Sequence, residues 1–144
     1  MVLDLATRRV IGWHTGTTLG EELVLIALQQ ALAGRRPPRG WWHHSDRGSQ
    51  FASRAYRACV AAHHGTMSMS RRGNCYDNAV VESFFATLKV ELGEEVDWED
   101  ARAAQRDLFE FIEVWYNRQR RHSTLGYLSP VAYEETLVRQ RRAA

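Results

Sequence analysis

Two acidic residues in this chain lie in short segments whose composition suits catalysis at a metal ion. Asp46 lies in the segment His44–Phe51 (HSDRGSQF), and Glu82 lies in the segment Tyr76–Phe85 (YDNAVVESFF). Thirty-five residues separate the two carboxylates, and a compact domain can bring such positions together. Carboxylate oxygens are ligands that Mg²⁺ prefers, and they also suit Mn²⁺. A pair of such ions can activate an attacking oxygen and stabilise a leaving oxygen in phosphoryl transfer.

The elements expected around these two acids differ in type. Trp41–His44 is an aromatic-rich strand candidate, and Asp46 comes just past its end. Glu82 lies on a predicted helix with apolar residues at Val81, Phe84, Phe85, Leu88 and Leu92. The chain reads strand, strand, helix, strand, helix, strand and then helices, which predicts an α/β domain with a mixed sheet. An acid beyond the carboxyl end of a strand is where α/β domains place their sites.

The sequence also predicts several helix boundaries. Thr18 and Glu21 form a capping box before an apolar run that we expect to end at Gly34. Asp97 is a candidate cap for a long helix in the second half of the chain. Pro130 predicts the start of the last helix, because proline is favoured at the first helical position.

The charge distribution is uneven, although the formal net charge is only +2. Residues 1–75 carry a net charge of +6, residues 76–100 carry −7 and residues 101–144 carry +3. All the basic residues except Lys89 are arginine, which suits bidentate phosphate contacts. Basic ends around an acidic middle fit a nucleic-acid enzyme with a metal site. The competing interpretation is a preference for arginine codons, with the charges simply solvated.

Size and composition restrict the class of protein further. The chain has 144 residues, enough for one domain with a substantial core. Cys59 and Cys75 form neither a disulfide framework nor a zinc signature. No apolar run approaches membrane-spanning length, and Asp4, Arg8 and Arg9 are unlike a signal peptide. We therefore expect a cytoplasmic protein.

Several long motifs in the chain resemble those of a known family. They are HSDRGSQF at His44–Phe51, YDNAVVESFF at Tyr76–Phe85, WYNR at Trp115–Arg118 and RHSTLGYLSP at Arg121–Pro130. Together they resemble the catalytic core of insertion-sequence transposases of the OrfB type. Leu3–Trp13 is similar to the second and third strands of that core. The resemblance covers nearly the whole chain, and its motifs occur in the family's order.

The resemblance implies a fold, a chemistry and partners. The fold would be the RNase H-like mixed sheet of the retroviral-integrase core, with an Asp-Asp-Glu triad in which Asp46 is the second acid and Glu82 the third. Both would be catalytic metal ligands for Mg²⁺ (or Mn²⁺) in DNA cleavage and strand transfer. The partners would be transposon ends and target DNA, with a homo-oligomeric parent. Residues 1–97 would be a partial catalytic core, and residues 98–144 a helical extension of the same domain.

One part of the family pattern has no counterpart here. The family's first aspartate lies on its first strand, upstream of the stretch that matches Leu3–Leu5. We therefore expect a C-terminal fragment, inactive by itself, with residues 1–5 at an unprotected sheet edge. A simpler interpretation would make Asp4 the first acid of the triad, because it lies on a predicted strand. We expect it instead to flank the hairpin and to pair with Arg8 or Arg9.

Six basic residues are candidates for DNA contact, each with a simpler alternative. Lys89 lies two helical turns after Glu82 on nearly the same face, and the resemblance gives it a contact with DNA phosphate. It could equally be an exposed helix lysine. The other candidates are Arg47, Arg71, Arg72, Arg118 and Arg121. They could instead be solvated surface, and the last two could complement a helix C-terminus.

Other functions remain open from the sequence. The chain could be a catalytically dead DNA-binding or interaction remnant, with salt-dependent affinity and no activity. It could also be an RNase H-like nuclease of another kind, although its tail motifs argue against this. The pairs His43-His44 and His63-His64 invite a zinc site, but their spacing does not supply four ligands.

Overall fold

The computed structural model describes residues 1–18, 20–70, 79–93 and 96–143. These residues divide between two compact units. The first unit comprises residues 1–2 and 11–87, and the second comprises residues 3–10 and 88–144. The border falls inside one helix, near residue 87. The sequence-based division at residue 97 stays a prediction.

The described strands form two small sheets. Strands β1 (Val2–Leu3) and β2 (Val10–Gly12) pair with each other, and β3 (Trp42–Ser45) pairs in parallel with β4 (Thr66–Met69). In the ranges that the structure describes, no pairing joins the two sheets into the single mixed sheet expected from the sequence. The shortness of β1 and β2 is one reason, because such strands offer few backbone groups for pairing.

Helix α1 (Glu21–Arg35) differs from its predicted boundaries at both ends. Gly20 is its N-cap, without a side-chain cap, so the capping box is wrong. The helix continues through Gly34 to Arg35. Its C-cap is Arg36, whose backbone is left-handed and whose N–H donates to the Leu32 carbonyl. Gly12 of β2 lies against this helix. A Cβ at Gly12 would come within 2.1 Å of the Ala27 carbonyl oxygen, so only glycine fits there.

The core of the first unit is a cluster of α1 with the helix that links β3 to β4. A 3₁₀-helix (Ser49–Ala52) and α2 (Arg54–Ala62) form that link, and the buried cluster comprises Leu28, Leu32, Tyr56 and Val60. The Tyr56 hydroxyl forms a 2.8 Å hydrogen bond with Nε2 of buried His43. This bond connects α2 to β3. It is stabilising because each polar group would otherwise be buried without this partner.

The second half of the chain is helical. Its elements are α3 (Ala79–Leu92), α4 (Ala101–Phe109), a π-helix (Glu110–Tyr116), a 3₁₀-helix (Ser123–Leu125) and α5 (Pro130–Ala143). Pro130 starts the last helix, as predicted. The Asp97 cap is wrong, because Asp100 caps α4 by accepting the Ala103 N–H at 2.7 Å. No helix within the described ranges is long and apolar enough to cross a membrane.

Asn117 joins the helical tail to Val10, the first residue of β2, within the second unit. Its side chain is 1% exposed, its Oδ1 accepts the Val10 N–H at 2.9 Å, and its Nδ2 donates to the Val10 carbonyl at 3.0 Å. The amide thus satisfies both backbone groups of one strand residue, as a neighbouring strand would. The π-helix ends directly before Asn117, whose N–H donates to the Ile112 carbonyl five residues back.

We predict that Asn117→Ala lowers the free energy of unfolding by about 3 kcal/mol, because it leaves the buried N–H and carbonyl of Val10 without partners. Urea unfolding followed by tryptophan fluorescence measures this loss. Gln119→Ala, at an exposed position of the same segment, is the control and should change stability little. Equal losses in the two variants would contradict the structural role of Asn117.

We also predict a stability loss in mild acid that depends on His43. Burial, with a further contribution from His44, lowers the pKa of His43 from 6.5 to about 4. Between pH 6.5 and pH 4, His43 is therefore protonated in the unfolded chain and neutral in the folded chain. The free energy of unfolding falls as the pH drops through this range. Between pH 7 and pH 5, this protein should lose about 2 kcal/mol more than His43→Gln, which does not titrate. Urea midpoints at the two pH values test this, and an equal loss in both proteins would disprove it.

Candidate functional site

Asp46 lies just beyond the carboxyl end of β3, as predicted. Its carboxylate Oδ1 accepts a hydrogen bond from the Gly48 N–H at 2.7 Å, and Asp46 as a whole is exposed. The preceding residue, Ser45, is buried and accepts the Ser70 N–H at 2.9 Å. The carboxylate is therefore open to solvent on a connector of three residues, directly after a residue fixed by strand pairing.

Side chains of β3 and the end of β4 surround this connector. His44 places Nδ1 at 3.0 Å from the Ser68 hydroxyl and Nε2 at 3.1 Å from the Ser70 hydroxyl. Arg47 donates from Nε to the Ser70 carbonyl at 2.9 Å. The sequence did not single out Ser68 and Ser70 as site residues. Their alternation on a strand candidate was the only available signal, and it depends on knowing the strand register.

Glu82 lies in the first turn of α3, where the positive end of the helix dipole favours a carboxylate. Its residue is exposed, whereas Phe84 two positions later is 3% exposed and packs edge-to-face against Phe85. Burial of Phe84 thus fixes the helix face on which Glu82 stays open. Asp77 and Asn78, whose residue types and positions just before this helix predict that one of them caps it, lie outside the described residues.

Asp46 and Glu82 belong to the same compact unit, and both carboxylates are solvent-exposed. Among the described residues, no group of three or more His, Cys, Asp or Glu side chains is close enough to hold a metal ion. Asp4 accepts the Ala6 and Thr7 N–H groups at 2.9 and 3.2 Å, so its carboxylate caps the turn between β1 and β2. Arg9 forms its 2.6 Å ion pair with Glu134.

Three of the four histidines considered for zinc form side-chain hydrogen bonds within the fold. His43 bonds to Tyr56, and His44 bonds to two serine hydroxyls. His63 places Nδ1 at 2.9 Å from the Cys59 carbonyl, which closes the end of α2. Burial raises the pKa of the Cys59 thiol, which keeps it in the neutral form.

The basic candidates fall into three groups. Lys89, in the last turn of α3, and Arg118 and Arg121, after the π-helix, are exposed and belong to the second unit. Arg47 is exposed in the first unit but commits its Nε to Ser70. Arg71 and Arg72 lie outside the described residues.

Arg120 shows that a neighbouring basic residue has a different role. Its guanidinium lies over the rings of Trp115 and Tyr116, 5.7 and 5.9 Å from their centroids. His122 packs edge-to-face on Tyr116 at 5.3 Å. Burial, and then the charges of Arg120 and Arg8, lower the pKa of His122 to about 4. These side chains stabilise the second unit by cation–π and ring contacts, whereas Arg118 and Arg121 on either side of Arg120 are exposed.

Comparison with known proteins defines the class of this chain. The family model of the integrase core domain matches residues 1–75, which include Asp46. A second model with the same description matches residues 63–130, which include Glu82 and Lys89. The chain therefore belongs to the integrase core family, whose fold is of the RNase H-like α/β type.

Individual relatives are insertion-element proteins. The chain is 44% identical to the insertion element IS600 uncharacterized 31 kDa protein of Shigella sonnei, over 93% of the chain and 49% of that relative. It is 44% identical to transposase InsF for insertion sequence IS3A of Escherichia coli, over 93% and 46% of the two chains. It is 38% identical to the transposase for insertion sequence element IS904 of Lactococcus lactis, over 92% and 53%. The chain thus spans about half the length of these curated relatives.

Proposed function

We propose that this chain supplies two metal ligands and part of the DNA-binding surface of an insertion-sequence transposase. The longer parent would cut DNA strands at transposon ends and join them to target DNA. The observation that carries the proposal is the exposed Asp46 carboxylate at the end of β3, in a chain of the integrase core family. Cytoplasmic location, expected from the sequence, belongs with this proposal.

The donor chemistry fits Mg²⁺ or Mn²⁺. Asp46 and Glu82 offer only oxygen ligands, and both carboxylates are open to solvent in the same unit. Hard divalent cations prefer such ligands and keep several waters, so two protein carboxylates suffice to begin a site. When bound, the cation would supply Lewis-acid stabilisation of charge on the transferring phosphoryl group.

The protein's own contribution is to position these groups. Gly48 donates to Oδ1 of Asp46, which fixes the orientation of one carboxylate oxygen. Glu82 is positioned by α3. The buried side chain of Phe84 anchors the part of this helix that belongs to the first unit. A metal ligand held on a strand end and another on a helix lose little conformational freedom on binding.

The DNA contacts would come from basic residues that the fold leaves exposed. Lys89, Arg118, Arg121 and the terminal nitrogens of Arg47 would contact phosphates. Arg71 and Arg72, which lie outside the described residues, are included on their position in the sequence alone. Arg118 and Arg121 also favour a second candidate function, a DNA-binding remnant without activity, because phosphate contacts need no metal ion. A metal-dependent assay separates the two candidates.

In the full-length parent, we predict that Asp46→Asn or Glu82→Gln lowers metal-dependent strand transfer by about a hundredfold or more, because several kcal/mol of charge stabilisation is lost. A labelled transposon end, titrated with Mg²⁺ or Mn²⁺, measures the transfer. DNA affinity should change less than about twofold, because the ionic part of that affinity comes from basic residues and both of these residues are acidic. Glu91→Gln, on the exposed surface of the same helix, is the matched control. Transfer that survives Glu82→Gln would refute the ligand assignment.

We also predict that the chain binds duplex DNA with salt-dependent affinity. Arg118→Gln and Arg121→Gln should each reduce the slope of log affinity against log salt by about 0.9, the value for one phosphate contact. Fluorescence anisotropy at several salt concentrations measures the slope. Arg102→Gln removes the same charge from an exposed position of α4 and should leave the slope nearly unchanged. If all three variants behave alike, the effect comes from net charge and the named contacts are wrong.

A further inference from the structure

Ser70 forms hydrogen bonds to the residues on both sides of Asp46. The residue is 7% exposed and directly follows β4. Its N–H donates to the carbonyl of Ser45, the residue before Asp46, at 2.9 Å. Its carbonyl accepts from Nε of Arg47, the residue after Asp46, also at 2.9 Å. The bond from Ser70 N–H to Ser45 continues the parallel strand pairing past β4. At the next position, Nε of Arg47 donates to the Ser70 carbonyl in place of a backbone N–H.

The Ser70 hydroxyl adds a second layer of contacts. It lies 3.1 Å from Nε2 of His44, two residues before Asp46, and donates to the Ser45 carbonyl at 3.4 Å. The His44 ring is held from its other side by the Ser68 hydroxyl at 3.0 Å. One buried serine therefore contacts three residues around Asp46, namely His44, Ser45 and Arg47.

We infer that Ser70 is a positioning residue that fixes the direction of the Asp46 carboxylate. This inference rests on the proposed function for its consequence, since direction matters only if Asp46 binds a cation. Asp46 to Gly48 is a short connector between β3 and the 3₁₀-helix, and its first two residues are exposed. The Ser70 bonds hold its start and its middle, so that the Asp46 carboxylate and the Gly48 N–H stay paired.

The first test needs no metal. In the chain as it stands, Ser70→Ala removes the hydroxyl and keeps the backbone bonds. The Gly48 amide should then exchange with solvent about fivefold faster in NMR hydrogen-exchange measurements, the factor for losing one hydrogen bond of ~1 kcal/mol. The amide of Val60, in the core of α2, is the reference and should not change. Equal acceleration of both amides would show a general loss of stability and overturn the inference.

Two matched variants sharpen this test. Ser70→Thr keeps a hydroxyl at the same atom and should restore slow exchange at Gly48. Ser68→Ala removes a hydroxyl that hydrogen-bonds to His44 from the other side of its ring, and it should have a smaller effect than Ser70→Ala. If Ser68→Ala accelerates Gly48 exchange as much as Ser70→Ala, the effect comes from the His44 ring and Ser70 has no special role.

Arg47 provides an independent arm of the test. Arg47→Lys keeps the positive charge but lacks the Nε that donates to the Ser70 carbonyl. If Arg47 positions the connector, this variant should accelerate Gly48 exchange about fivefold, like the loss of any one hydrogen bond of this kind. Unchanged exchange at Gly48 would show that the bond from Arg47 Nε to the Ser70 carbonyl does not position the connector, and this part of the inference would be wrong.

Manganese binding separates failure of this inference from failure of the proposed function. Free Mn²⁺ is measured by electron paramagnetic resonance in titrations of the intact chain. Ser70→Ala should weaken Mn²⁺ binding about fivefold and Ser70→Thr should not, with Asp46→Asn weaker still. If Asp46→Asn lowers affinity but Ser70→Ala does not, the positioning role is wrong and the ligand role survives. If Asp46→Asn has no effect on Mn²⁺ binding, the proposed function fails and the inference falls with it.

Discussion

The parallel pairing of β3 with β4 determines where the candidate site forms. Its register sets His44 opposite Ser68 and Ser45 opposite Met69. Because side chains alternate along a strand, His43 points to one face and His44 to the other. His43 enters the core and bonds to Tyr56, while His44 meets the serines at the edge of the connector. A shift of one residue would exchange these two histidines and remove both sets of contacts.

The core beneath the strands secures that register. Leu28 and Leu32 of α1 pack with Tyr56 and Val60 of α2, and α2 is the crossover between the two parallel strands. Burial also keeps His43 neutral and raises the pKa of the Tyr56 hydroxyl, so the pair forms one neutral hydrogen bond in the core. Burial in a medium of low dielectric constant disfavours a charged histidine there. Apolar packing and an exposed carboxylate are thus linked through a single four-residue strand.

The sequence predicted the parts of the site that depend on local pattern. The strand before Asp46, the helix that carries Glu82 and the start of the last helix at Pro130 all follow from spacing and residue type. The contacts of Ser70 and Asn117 could not be predicted in this way. Both depend on which backbone group lies nearby after folding, and Asn117 bonds to a strand residue 107 positions earlier. The misplaced cap at Asp97 has a similar cause, since aspartate suits a cap at either position and residue type alone does not choose between Asp97 and Asp100.

Arginine count alone could not separate structural from ligand-binding residues, because the distinction lies in what each guanidinium contacts. Arg9 pairs with Glu134, and Arg120 lies over two aromatic rings, so both are used within the second unit. Arg118 and Arg121 flank Arg120 in sequence but are exposed. Arg47 combines the two roles, because Nε supports the Ser70 carbonyl while its residue remains exposed. A guanidinium can do this because its donors point in several fixed directions, which a lysine ammonium cannot reproduce. The preference for arginine in this chain therefore has a structural basis at Arg47 and Arg120 that holds whether or not DNA is bound.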